Sequence, residues 1–406
     1  MSYPLVALDE VCRFVRGPFG GALKKESFVD SGFAIYEQQH AIYNQFSEIR
    51  YFIDSDKFED LRRFELSSGD LIMSCSGTMG KVAKVPEGIQ RGIINQALLK
   101  LTPSIRIDIE YLAYWMGSYL FQNQLGDNSH GAAIKNVASV KILKQLKIPL
   151  PPLAEQKKIA AILDAADQLR QKDQQLINHY TALSQSLFLE MFGDPVGNSK
   201  DWNLQQFGDC LLDIVGGKSV GGEERPLVDG EMAVLKISAV TSGVFNPKQY
   251  KVVEAKNIPT TLVLPKPGDL LFSRANTREL VGATCVVDRS YEQLFLPDKI
   301  WRLVLNRDVA NNWYIKYLLG HEGFRENMRK VATGTSGSML NISKAKLLKL
   351  QIPLPSIELQ NRFAENNLAI LEQVRHIQAN LEKSETLFNS LLQKAFKGEL
   401  TSSKAA

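Results

Sequence analysis

Two stretches of the chain carry apolar residues at alternating spacings of four and three. In residues 153–192 these positions are Ile162, Ala166, Leu169, Asp173, Leu176, Tyr180, Leu183 and Leu187. In residues 357–398 they are Phe363, Asn367, Ile370, Val374, Ile377, Leu381, Ser384, Phe388, Leu391 and Ala395. Heptad spacing sustained this long predicts a helix with one buried seam. Each stretch runs about 40 residues without proline, roughly 60 Å as a helix. A lone stripe needs a partner, and the nearest is the other helix of the same chain. The expected arrangement is an antiparallel coiled coil. Its seam would set Ile162, Ala166, Leu169, Leu176, Leu183 and Leu187 against Phe363, Ile370, Val374, Ile377, Leu381, Phe388 and Leu391. A seam between two copies of the chain is the other arrangement the pattern allows.

The intervening regions have a different rhythm. Short apolar runs alternate with turn residues, and these predict mixed α/β domains. Phe33–Tyr36 and Met232–Leu235 read as strands. So do Leu71–Met73 and Leu270–Phe272, each entered through a Gly-Asp turn. Residues 111–125 and 313–328 read as amphipathic helices. The chain also repeats itself. Ile148-Pro149-Leu150-Pro151-Pro152-Leu153-Ala154-Glu155-Gln156 recurs as Ile352-Pro353-Leu354-Pro355-Ser356-Ile357-Glu358-Leu359-Gln360. Gly69-Asp70-Leu71 recurs as Gly268-Asp269-Leu270, and Tyr111 and Tyr114 recur as Tyr314 and Tyr317. A period near 200 residues is too long for a solenoid. It marks a duplicated unit of globular domain plus long helix. The expected fold is α/β (α+β): domain 1–150, helix 151–193, domain 194–354, helix 355–398 and tail 399–406. The two helices would relate the domains by a pseudo-two-fold axis.

Charge narrows the function classes. Residues 1–152 carry 17 Lys/Arg against 16 Asp/Glu, and residues 193–356 carry 21 against 17. Neither has the basic excess of a protein that holds DNA by charge alone. A nucleic-acid binder of this composition must gather its basic groups on one face or share the grip with partners. The four cysteines are far apart, so a zinc site or disulfide framework is not expected, and a reducing cytoplasm fits. No signal peptide is apparent and no apolar run is long enough to span a bilayer. Gly77-Thr78-Met79-Gly80-Lys81 lacks the spacing of a phosphate-binding loop. The histidines form no ligand pair, and Glu254-Ala255-Lys256 has no acidic partner upstream to complete a nuclease site. No catalytic site and no metal site are expected.

Globular domain, Ile-Pro-Leu-Pro-Pro-Leu-Ala-Glu-Gln, long helix, then the same series again: this order resembles the specificity (S) subunit of type I restriction-modification systems. Pro152-Leu153-Ala154-Glu155-Gln156, followed by Lys157, Ile159 and Leu163, carries most of the resemblance. Gly69-Asp70-Leu71-Ile72 and the Gly131 to Asn136 segment are weaker but correctly ordered. The second helix opening departs from the pattern, its glutamate lying one place earlier. The resemblance implies a non-catalytic subunit whose two target recognition domains each read half of a bipartite, asymmetric DNA site. It implies helices that set the spacer and dock two modification (M) subunits, which bind S-adenosylmethionine and methylate adenine at N6. It implies restriction (R) subunits, using ATP and Mg, in the full complex. No cofactor is expected on the chain itself, and no membrane.

Base reading needs side chains that pair bidentately with base edges, such as Arg with guanine and Asn with adenine. Four loops offer them. The turns after the Gly-Asp strands carry Thr78 and Lys81 in one copy and Arg274, Asn276 and Arg278 in the other. The loops before the proline clusters carry Lys135 and Asn136, and Ser338 and Asn341. Lys236 follows a matching strand in a segment that differs between copies. Arg274, Asn276 and Arg278 are the leading candidates, because three long polar side chains in five residues exceed what a tight turn needs. A protein–protein adaptor is the rival class, and an enzyme with an unrecognised site is a third.

Overall fold

The computed structural model describes residues 3–127, 140–334 and 339–401. The chain forms two compact units, Met1–Gln174 with Ala379–Ala406, and Gln175–Gln378. In the first, the strands are β1 (Leu5–Ala7), β2 (Cys12–Arg16), β3 (Phe33–Tyr36), β4 (Phe52–Ile53), β5 (Leu71–Ser74), β6 (Val82–Lys84), β7 (Gly92–Ile94), β8 (Leu98–Pro103) and β9 (Lys147–Pro149). Its helices are α1 (Gln38–Tyr43), α2 (Ser55–Asp60), α3 (Ile109–Gly117), α4 (Tyr119–Asp127) and α5 (Val140–Gln145), with the start of α6 (Leu153–Phe192). The second unit has β10 (Leu204–Gln206), β11 (Leu211–Gly216), β12 (Met232–Leu235), β13 (Tyr250–Val253), β14 (Leu270–Ser273), β15 (Ala275–Asn276), β16 (Thr284–Val286), β17 (Leu294–Phe295), β18 (Ile300–Leu305), β19 (Leu340–Asn341) and β20 (Gln351–Pro353). Its helices are α7 (Asn312–Gly320), α8 (Glu322–Val331), α9 (Lys344–Leu348) and the start of α10 (Ile357–Lys397).

The repeat read from the motifs is a repeat of topology. The first unit has an antiparallel sheet β2-β8-β5-β6, a second sheet β4-β3-β7 and a pair β1-β9. The second unit has β11-β18-β14-β16, β13-β12-β17 and β10-β20 in the same order. In each, one short pairing is parallel, β3 with β7 and β12 with β17. The four predicted strands all form. Their unbroken apolar runs follow from burial on both faces. Leu71 and Met73 enter the core that holds α3 and α6, while Ile72 enters the core around β3 and β7. Leu270 and Phe272 divide from Leu271 in the same way.

The two predicted amphipathic helices are each broken. Ser118 is extended between α3 and α4, and its hydroxyl donates to the Trp115 carbonyl at 2.6 Å. His321 is extended between α7 and α8. In both cases the break follows a glycine, Gly117 or Gly320, where helix propensity is poor.

Both long helices form, and each unit holds parts of both. In the first unit Ile159, Leu163 and Ala166 of α6 share a core with Phe388, Ala395 and Phe396 of α10. The Ser384 hydroxyl donates to Asp173 at 3.0 Å, and the Arg170 guanidinium lies 4.7 Å over the Phe388 ring. Numbers rise on one helix as they fall on the other, so the pair is antiparallel. In the second unit Phe188 and Phe192 pack on Phe363 at 5.7 and 5.4 Å.

The α10 seam is as expected: Phe363 and Phe388 are buried, and Ile370, Val374, Ile377, Leu381 and Leu391 are half-buried. On α6 the expected stripe requires correction. Ile162, Leu169, Leu176 and Leu183 are 37–48% exposed. Leu187 is half-buried, and only Ala166 lies in the core. The inward positions are Leu163, Asp173, Ser184 and Phe188, with Arg170, Ile177 and Tyr180 partly covered. One residue is about 100° of helix rotation, and two heptad patterns sharing Ala166, Asp173 and Tyr180 were available. Ile159 and Leu163 at one end and Phe188 and Phe192 at the other fix the rotation. The buried middle then receives Asp173 and Ser184, which a purely apolar reading passes over. Among the described residues no helix is long and apolar enough to cross a membrane.

Candidate nucleic-acid interface

The repeated motifs turn out to be fasteners. Gly69 and Gly268 have φ of 85° and 78°, a left-handed turn in which glycine is unstrained. The following aspartate closes the turn: Asp70 accepts from the Ser67 amide and Asp269 from the Lys266 amide, both at 2.9 Å. The glutamine that ends each proline motif is fully buried. Gln156 accepts from the Asp108 amide at 2.8 Å and donates to the carbonyls of Arg106 and Pro151. Gln360 accepts from the Asn311 amide at 2.9 Å and donates to those of Val309 and Pro355. The two helix openings, unlike in sequence, make the same contacts through these glutamines. Tyr111 and Tyr314 donate to the carbonyls of Pro149 and Pro353, at 2.8 and 2.5 Å. Tyr114 donates to Asp164 of α6, and Tyr317 to Asn367 of α10. The Gly-Asp motifs therefore close turns of the sheet, while the glutamines, Tyr114 and Tyr317 tie each globular fold to a long helix.

The candidate polar residues collect at the other end of each four-stranded sheet. Antiparallel order places the end of β2, the start of β8, the end of β5 and the start of β6 side by side. In the second unit β11, β18, β14 and β16 do the same. Thr78 and Lys81 occupy the turn between β5 and β6, and both are exposed. Ser74 holds that turn closed, donating to the Thr78 carbonyl at 2.6 Å and accepting from the Lys81 amide at 3.0 Å. Arg274, Asn276 and Asn341 are brought together because β15 pairs with β19, Ala275 opposite Asn341. Lys236 lies in the same unit, its ammonium 3.1 Å from Glu224. Lys135, Asn136 and Ser338 lie outside the described residues.

The leading candidates are largely engaged by the protein itself. Arg274 donates through Nε to the Asp298 carbonyl at 2.8 Å, through Nη2 to the Asp298 carboxylate at 2.9 Å and through Nη1 to Asn341 at 3.3 Å. Ser219 also donates to that carboxylate. Burial alone would raise the Asp298 pKa, but Ser219, Arg274 and Lys299 outweigh it and hold it below the usual range. Arg278 is exposed and pairs with Glu326 at 3.0 Å. Asn276 accepts from the Thr277 amide at 2.8 Å. Glu254 and Lys256 form a surface ion pair at 2.8 Å.

Residues 4–179 match the family model of the type I restriction modification DNA specificity domain. Over those residues the chain is similar to a type I specificity domain. It is 27% identical over 328 residues to the MjaVIII type I specificity subunit of Methanocaldococcus jannaschii, covering 75% of this chain and 74% of that one. It is 26% identical over 319 residues to the EcoKI specificity subunit of Escherichia coli, covering 74% and 68%. The fold of a type I system S subunit from M. genitalium superposes with a TM-score of 0.54 at 16% identity, over 97% of this chain and 96% of that one. A chain from a structure on complex assembly and conformational transition of the type I R-M system also gives 0.54, at 19% identity and 98% coverage of both. The chain is thus similar along its length to type I specificity subunits, and its two units are two copies of the same fold.

The sheet framework of the two units also contains residues that motif reading missed. A Cβ on Gly17 would lie 1.9 Å from the Asn95 carbonyl oxygen, and one on Gly217 would lie 1.7 Å from that of Leu296. Both positions therefore require glycine, and they press the end of the first strand onto the turn before the last. The signal was available as a glycine pair exactly one repeat apart, Gly17 and Gly217. It aligns Arg16 with Gly216, and the register of Ser74 opposite Leu98 and Ser273 opposite Ile300 aligns Gln96 with Asp298.

Proposed function

We propose that this chain is the DNA-reading subunit of a type I restriction-modification complex, that each unit reads one half of a bipartite, asymmetric site, and that it has no catalysis of its own. Two M subunits, carrying S-adenosylmethionine, methylate adenine at N6 where the chain places them. R subunits, with ATP and Mg, complete the nuclease where they are present.

The observation that carries this reading is a shared framework with unlike tips. The sheet ends of the two units have the same strand order, the same obligatory glycine and the same Gly-Asp closure at the far end. At matching positions one bears Arg16, Cys75 and Gln96, and the other Gly216, Arg274 and Asp298. A common scaffold with different polar side chains is what two half-sites of different sequence require. The exposed stripe Ile162 and Leu169, with Leu176 and Leu183 further along α6, supports docking of M subunits, since apolar positions at heptad spacing favour a partner helix.

The test is to map methylated adenines in DNA from cells carrying the chain with its M subunits, and from cells lacking the chain. The expected result is a bipartite motif that disappears with the chain. Methylation of the same sequences without the chain would refute the reading. Affinity of the assembled complex for duplex DNA that is indifferent to salt would favour an adaptor instead.

A further inference from the structure

The two sheet ends differ in what their arginines are free to do. In the second unit Arg274 has all three nitrogens committed to Asp298 and Asn341. In the first unit the equivalent position is Cys75, which is buried, and Gln96 stands where Asp298 would be. An arginine reaches this edge from β2, on the far side of β8, instead. Arg16 ends β2, opposite Leu99 of β8. Its Nε is shielded from solvent and unpartnered, and its guanidinium makes no hydrogen bond or ion pair among the described residues. It lies 5.8 Å from the ring of Phe19, which is 68% exposed. Its charge opposes the rise in the Cys75 thiol pKa caused by burial.

Gly17 fixes the geometry around it. The Gly17 amide donates to the Leu98 carbonyl at 3.1 Å, and its Cα packs directly on the Asn95–Gln96 backbone. Gln96 is therefore held beside Arg16, and its side chain is exposed with no partner among the described residues. Ser76 and Gln38, joined at 3.2 Å, complete the same edge. A free guanidinium fork next to a free amide has the donors and acceptors for a guanine followed by an adenine. Phosphate binding alone would not need an amide at that place.

We propose that Arg16 is the specificity-determining residue of the first unit, pairing bidentately with a guanine, with Gln96 beside it facing the adjacent base. This rests on the DNA-reading function above. The test uses the chain assembled with its M subunits and compares the methylated motif of wild type with those of Arg16→Ala, Arg16→Lys and Gln96→Ala. Both Arg16 variants are expected to lose about ten- to a hundredfold discrimination at one guanine of one half-site, with the other half-site unchanged. Lysine keeps the charge without the planar fork, so loss with Arg16→Lys separates base reading from a phosphate contact. Gln96→Ala is expected to relax the neighbouring position. An intact motif in both Arg16 variants would overturn the assignment, as would discrimination lost with alanine but kept with lysine. A wild-type complex that methylates no bipartite sequence would instead sink the function on which the assignment rests.

Discussion

Gln156 and Gln360 show how much one buried polar side chain can hold. Each fills three hydrogen bonds between the opening of a long helix and the loop before α3 or α7, with no contact to solvent. Gln360→Ala would leave the Asn311 amide and two carbonyls without their partner. The expected cost is about 1–3 kcal/mol, read as a lower urea midpoint for the second unit. Lys316 gives a prediction of opposite sign. Burial holds its ammonium pKa at about 8, below its ordinary 10.5. Between those values the unfolded chain binds the proton and the folded chain does not. The destabilisation is therefore full below pH 8 and fades as pH rises toward 10.5. Lys316→Met should melt higher than wild type at pH 7, and the gap should narrow by pH 10. At this scale the sequence revealed the fasteners as motifs but not their work, because a pattern of letters does not say which polar groups are buried. It favoured Arg274 for its neighbours Asn276 and Arg278. Nothing local to Arg274 announces Asp298, which reaches it from a strand start 24 residues away.

Among elements, the long helices were the most legible and the rotation of one of them the least. Forty residues of heptad spacing without proline leave little choice but helix. The rotation depends on where Phe188, Phe192 and Leu163 meet the globular cores, which is tertiary information. The consequence is measurable. Phe363 is fully buried among Phe188, Phe192 and Tyr317, so Phe363→Ala should destabilise by about 3–5 kcal/mol. Leu169 is 47% exposed, and Leu169→Ala should change stability by no more than about 0.5 kcal/mol. Chemical denaturation of Leu169→Ala, with Phe363→Ala as the buried reference, distinguishes the observed rotation of α6 from one that puts Leu169 in the seam. If the exposed stripe docks M subunits, Leu169→Glu should leave the chain folded by circular dichroism yet weaken its co-purification with them. The broken helices α3–α4 and α7–α8 were also missed. An apolar period does not register an extended Ser118 or His321 whose neighbours restore the hydrogen bonds.

For the molecule as a whole, the duplication was visible from motif offsets alone, and the structure turns it into identical strand orders in two units. What the offsets could not convey is the separation of tasks inside each unit. The proline motif and the tyrosines fasten fold to helix and the Gly-Asp turn closes one end of the sheet, while the opposite sheet end carries the side chains that differ. On the proposed function, that separation would make the two units independent readers. The most direct test exchanges residues 204–353 for the matching unit of a related specificity subunit and maps methylated adenines made with the same M subunits. One half-site is expected to take the sequence read by the donor unit while the other half-site stays as it was. A simultaneous change in both half-sites, or no change in either, would contradict it.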